Sequence, residues 1–182
     1  MAHPLIAFLL GAAKRVVGTV WTQRTLPTSA YWQSVTYGNG VFVAVASGPS
    51  SIAATSPDGV TWTQRTLPAA TNWSSVTYGN GVFVAVSDGL SNIAATSPDG
   101  VTWTQRTLPI FAYWRSVTYG NGVFVAVSDG SSNIAATSPD GVTWTQRTLP
   151  PANYWLFVTY GNGVFVVVAG GSYSSSIAAT SF

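Results

Sequence analysis

Five aspartates, seven cations and one histidine are the only side chains in this 182-residue chain from which acid–base or metal chemistry could readily be built. There is no glutamate and no cysteine. Cleaving a glycosidic bond calls for two carboxyls placed across it, and covalent catalysis calls for a nucleophile beside a base. Asp58, Asp99 and Asp140 all stand in the same Ser-Pro-Asp-Gly sequence. There a carboxylate accepts the N–H groups of its own turn, so all three are expected to be structural. Asp88 and Asp129 stand in Ser-Asp-Gly sequences, which also read as turns. His3 alone is no ligand set. The sequence therefore predicts no catalytic residue, no metal site and no cofactor, and the chain is expected not to be an enzyme.

Charge excludes a second class of function. Charged residues make up 7% of the chain, against a usual share of about 25%. The net charge of +2 comes from Lys14, Arg15, Arg24, Arg65, Arg106, Arg115 and Arg147, of which only the first two adjoin. That is no basic face for nucleic acid. The lack of cysteine excludes disulfides and leaves the compartment open.

What positions these residues is a repeat. Ser-Pro-Asp-Gly-Val-Thr-Trp-Thr-Gln-Arg-Thr-Leu-Pro runs over 56–68, 97–109 and 138–150, and a headless copy occupies 20–27. Trp21, Trp62, Trp103 and Trp144 are spaced 41 residues apart, a period that signals a propeller or solenoid. Within one period, Trp114–Tyr119 reads as a strand, and Gly120-Asn121-Gly122 as a hairpin turn. Val123–Val127 is a strand apolar on both faces, as between stacked sheets. Ile134–Thr137 is a third strand, and Val142–Leu149 is a polar outer strand closed by Pro150. Four short strands per period make a propeller blade.

The first three strands of the period occur four times, and the fourth strand also occurs four times, but its first copy precedes every blade. The expected fold is therefore all-β, a four-bladed β-propeller over 19–182, its ring closed by 20–27 pairing with 155–181. Exchange of that strand between two chains, giving eight blades, is the other closure. Residues 1–18 are read as a short apolar helix from Pro4 to Val17, roughly 21 Å long, too short for a bilayer span. Leu5, Ile6, Phe8, Leu9 and Leu10 leave it no polar face, so it should be buried. Burial in an assembly of protein partners, a homo-oligomer or something larger, is the first reading. Packing on its own propeller, a signal, or an anchor in contact with a membrane are the others.

Ser97-Pro-Asp-Gly-Val-Thr-Trp103 and its twins at 56–62 and 138–144 resemble the Asp-box, or BNR, repeat of sialidases and of many propellers that are not enzymes. The resemblance implies a turn between the third and fourth strands of each blade. The sialidase site, which implies clustered arginines, a Tyr–Glu pair and an Asp acid/base, does not transfer to a chain without glutamate. Moreover Arg24, Arg65, Arg106 and Arg147 fall on the outer strands.

Two stretches of the period vary: the link from Pro into the first strand and the loop after the second. Both fall at one end of the blades, and loops on a rigid scaffold are where binding usually sits. Tyr31, Trp32, Trp73, Leu90, Phe111, Tyr113, Trp114, Arg115, Tyr154, Trp155 and Tyr173 gather there. The four repeated tryptophans also fit as packing between blades. The first functional reading is a non-catalytic structural or display protein of a virion or cell surface, held through its N-terminal helix. The alternative is a lectin-like propeller binding glycans on the aromatic face, and a sialidase-like hydrolase stands third. Every one of these is an extracellular, cell-surface or virion setting.

Overall fold

Asn-Gly governs the architecture. In each period it closes a hairpin with both central residues at positive φ, as at Asn39 (47°) and Gly40 (77°), the geometry that matches the twist of the flanking strands. The computed structural model describes residues 18–130, 133–151, 154–170 and 175–181. Unit 1 consists of β1 (Tyr31–Gly38), β2 (Val41–Ser47), β3 (Ser50–Ser56) and the first part of β4 (Thr63–Gly79). The rest of β4 opens unit 2, with β5 (Val82–Asp88), β6 (Ser91–Ser97) and the first part of β7 (Thr104–Gly120). Unit 3 continues with β8 (Val123–Asp129), β9 (Ile134–Ser138) and β10 (Thr145–Thr148). Among the described residues unit 4 consists of β11 (Trp155–Gly161), β12 (Val164–Ala169) and β13 (Ala178–Ser181).

All pairings are antiparallel, and they form two open sheets, one of ten strands in chain order and one of three. The break between the sheets has a local cause. β4 and β7 run unbroken from an outer strand into the next inner strand through a single proline, Pro68 or Pro109. The third link carries Pro150-Pro151, two successive residues without an N–H, and β10 stops at Thr148.

The expected closed four-bladed propeller is therefore corrected. Residues 20–27 form no strand and do not pair with unit 4, and Trp21 is 89% exposed. No helix occurs among the described residues. The segment expected to be helical, with Leu5, Ile6, Phe8, Leu9 and Leu10, lies outside them. So does Tyr173.

The core sits between units rather than inside any one. Trp73 packs with Val43, Val45, Ala53 and Leu67 at the first junction. Trp114 packs with Val84, Val86, Ala94 and Leu108 at the second, and Trp155 with Val127, Ala135 and Leu149 at the third. A serine hydroxyl stitches each junction: Ser34 accepts the N–H of Val76 (3.1 Å), Ser75 that of Val117 (3.1 Å) and Ser116 that of Val158 (3.2 Å). The inner strands of units 1 to 3 each end on a glycine against the next unit's tyrosine. A Cβ on Gly38, Gly79 or Gly120 would lie 2.0–2.1 Å from Cγ of Tyr78, Tyr119 or Tyr160.

The aspartate turns fasten the opposite edges. Asp99 Oδ1 accepts N–H bonds from Val101 (2.8 Å) and Thr102 (2.9 Å), and Ser97 Oγ donates to it at 3.0 Å. Asp58 and Asp140 repeat the pattern. The Thr102 and Val101 amides, in that order, hold the Asp99 carboxyl below its usual 3.8, and Thr61 or Thr143 leads at the other two sites. A depressed folded value means the carboxylates' stabilisation is whole above the unfolded pKa near 3.8 and is lost as pH falls through the folded value. Thermal midpoints recorded on an acid titration should therefore fall below that pH. Asp99→Asn, which cannot titrate, should make the fall shallower.

Candidate binding rim

The two ends of the units differ as their sequences do. At the uniform end, Asn39 Nδ2 donates to the Pro98 carbonyl (3.3 Å) and Asn80 Nδ2 to the Pro139 carbonyl (3.2 Å). The hairpin of one unit is thereby tied to the aspartate turn of the next, and this end is occupied with holding units together.

The varied end begins with the residue before each repeated tryptophan. Tyr31 pairs across the strands with Ser47, Asn72 with Asp88 and Tyr113 with Asp129. Each lies over its own unit's turn glycine. A Cβ added to Gly48 or Gly130 would come 2.9 or 3.1 Å from Cδ2 of Tyr31 or Tyr113, and one added to Gly89 would come 2.9 Å from Asn72 Nδ2. Glycine here lets the ring settle on the turn, while its other side stays open: Tyr31 is 76% exposed and Tyr113 43%. Phe111 and Leu90 are exposed beside them, Leu90 with φ of 51° in the turn after Asp88.

A repeated β-bulge supplies the polar part. The register slips between Trp114 and Ser116, as it does in every unit, so that Arg115 is the extra residue. Bulges re-aim side chains, and Arg115 Nη1 reaches back to Asp88 Oδ2 of unit 2 at 3.1 Å. Such a surface ion pair adds only about 0–1 kcal/mol of stability, and it sets the Arg115 guanidinium beside the Asp88 carboxylate between two units. Asn72 Oδ1 also accepts the Gly48 amide of unit 1 (3.2 Å).

Not every expected rim residue is available. Trp73, Trp114 and Trp155 are fully buried. Trp73 Nε1 donates to the Ala69 carbonyl (3.1 Å) and Trp114 Nε1 to that of Ile110 (3.3 Å), which anchors the varied links to the core. Trp32 is half-buried, with Nε1 3.4 Å from the Thr28 carbonyl. Tyr154 is half-buried at φ 61°. The side chains left in the open at this end are thus Tyr31, Leu90, Phe111, Tyr113 and Arg115. Asn72 stands at the station of the rim tyrosines and Asp88 in the Ser-Asp-Gly turn, and those places in the period were the available signal for both. No group of three metal-ligating side chains occurs among the described residues.

No family model matches the chain, and no curated protein matches it. Solved structures do. Virginiamycin B lyase from Staphylococcus aureus aligns with a TM-score of 0.72 at 17% identity, over 87% of this chain and 58% of the lyase. YCF48 from Cyanidioschyzon merolae aligns at 0.63 and 16%, over 82% and 53%. The glutaminyl cyclase of Myxococcus xanthus aligns at 0.54 and 14%, over 77% and 62%. The chain spans between about half and three-fifths of these proteins. At such identities the likeness shows the fold alone.

The chain has a β-sheet-rich fold related to several propeller-like folds, enzymes and non-enzymes among them. The comparisons do not single out an Asp-box or BNR protein of the sialidase type, so that resemblance remains one of turn sequence. They also correct the expectation of a non-enzyme and of a structural, helix-anchored display scaffold. The structures sharing the fold include lyases and a cyclase, and the segment expected to be the anchoring helix lies outside the described residues.

Proposed function

We propose that the varied rim binds carbohydrate. The observation that carries this reading is the placing of Tyr31 and Tyr113 at the same station of units 1 and 3, each backed by a turn glycine and open on its outer side. The apolar face of a sugar ring stacks on such a ring, and its hydroxyls need the donors and acceptors that Asn72, Asp88 and Arg115 offer between the two. The setting that fits is extracellular or at a cell surface, where glycans are displayed.

A glycan array on the full chain, followed by titration of the best ligand, tests this. Tyr113→Ala should weaken binding about tenfold, the loss of one stacking contact of about 1–1.5 kcal/mol. The side chain is half in solvent, so the unfolding midpoint should hardly move. An array without a ligand, or affinity that survives Tyr113→Ala and Tyr31→Ala together, would sink the reading.

A second reading is favoured by the fold: bond cleavage in a ligand held on the same rim, since lyases and a cyclase share this fold. The carboxylates at hand there are Asp88 and Asp129. Turnover of a fluorogenic glycoside panel, abolished by Asp88→Asn or Asp129→Asn, is its expected sign. Absence of turnover across the panel removes it.

A further inference from the structure

The two ends of the unit array carry the parts of a junction that the chain already forms three times, with a phenylalanine in place of one serine. At each internal junction a tyrosine fills the space left by a glycine, a serine accepts a valine N–H, and a buried tryptophan covers a leucine. At the start of the array one half stands without its complement. Val35 is 61% exposed where Val76, Val117 and Val158 are buried, and Tyr37 is 57% exposed where Tyr78, Tyr119 and Tyr160 are half-buried. A groove of about 410 Å³ opens there, lined by Leu26, Trp32, Ser34, Val35 and Trp62 among others.

At the other end stands the matching half. A Cβ on Gly161 would meet nothing within 4 Å, alone among the four glycines at that station. Val168 is exposed where Val45, Val86 and Val127 are buried. Phe157 occupies the station of Ser34, Ser75 and Ser116 and is 61% exposed. A phenylalanine in water at the one station where the chain departs from serine is apolar surface awaiting cover.

The edges match as well as the faces. Inside the array, Thr63–Thr66 pairs with Thr55–Ile52, and Arg65 Nε donates to Thr55 Oγ1 at 2.9 Å. Among the described residues unit 4 has no such outer strand, and its Ile177 is exposed. Thr22-Gln-Arg-Thr25 is that strand in sequence, unpaired and exposed. Only Leu26 behind it is partly covered, beside Trp32.

We infer that two copies of this chain join head to tail, unit 4 of each docking on unit 1 of the other. The occupant of each end face is a second copy because the interface continues the one established between units 1 and 2, 2 and 3, and 3 and 4. In the joint, Tyr37 fills the space beside Gly161 of the second copy, and Phe157 enters the groove beside Val35. Thr22–Thr25 pairs with Ile177–Thr180 of the second copy, Thr22 opposite Thr180 and Arg24 Nε donating to the Thr180 hydroxyl as Arg65 does to Thr55. A head-to-tail interface must close or grow into a fibre. Two copies bring eight units, within the roughly four to eight that rings of this kind hold, while three would bring twelve.

Light scattering on the full chain at micromolar concentration tests the inference. The expected mass is twice the 19.0 kDa of one chain. Gly161→Ala and Phe157→Asp, both at open positions of the single chain, should each return it to one chain while the far-ultraviolet circular dichroism stays that of a β protein. A single-chain mass for the wild type, a mass above two chains, or a two-chain mass untouched by both substitutions would each overturn it.

Discussion

Trp114→Ala should cost about 3–5 kcal/mol of stability, the range for truncating a fully buried aromatic side chain. The indole is fully enclosed between units 2 and 3, against Val84, Val86, Leu108 and Val117. Its Nε1–H fixes the Ile110 carbonyl of the varied link. The substitution therefore empties a junction and releases the rim segment carrying Phe111 and Tyr113. Urea unfolding of Trp73→Ala should show a loss of the same size, since the same cluster recurs one period earlier. Measured with Phe157→Asp also in place, so that the chain stays single, Trp32→Ala should lose clearly less, because no unit then precedes it and it is only half-buried. Equal losses at Trp32 and Trp114 would contradict a core built from junctions.

Gly79→Ala is the second large effect, at about 3 kcal/mol. A Cβ there would lie 2.0 Å from Tyr119 Cγ and 2.3 Å from Cδ1, near the root of the ring rather than at its free end. The ring is held at 4.7 Å from Phe124 in its own unit, so it cannot swing aside without disturbing that pair. Overpacking of this kind costs about 1–3 kcal/mol and occasionally more. Gly161→Ala is the control, with nothing within 4 Å of its added methyl. Measured in a Phe157→Asp background, which keeps the chain single, Gly79→Ala should lower the urea midpoint and Gly161→Ala should leave it in place.

These contrasts show how far the sequence could be read. The unit itself was legible, because Asn-Gly dictates its hairpin locally and the run Val123–Val127 demands cover on both faces. The aspartate turns were legible for the same reason, each being a bond network within a few residues. Closure of the ring was not. It depends on whether two end faces meet, which no local pattern encodes, and the marks that bear on it are small: Phe157 in place of serine and Pro151 after Pro150. On the rim, the aromatic residues were legible as breaks in the repeat. The burial of Trp73, Trp114 and Trp155 followed from their repetition, which is the behaviour of packing. The ion pair between Arg115 and Asp88 was hidden, because it joins different units through a bulge that sequence alone does not display.

If the varied rim binds carbohydrate as proposed, ligand should touch it and leave the uniform end alone. Amide chemical-shift mapping on isotope-labelled full-length protein tests it most directly, with the best-bound glycan from the array added stepwise. Shifts should gather at residues 31, 48, 72, 88–90, 111–115 and 130. The uniform end, at 38–40, 79–81 and 120–122, should stay still. Shifts concentrated at the uniform end, or no shifts at saturating glycan, would contradict the claim.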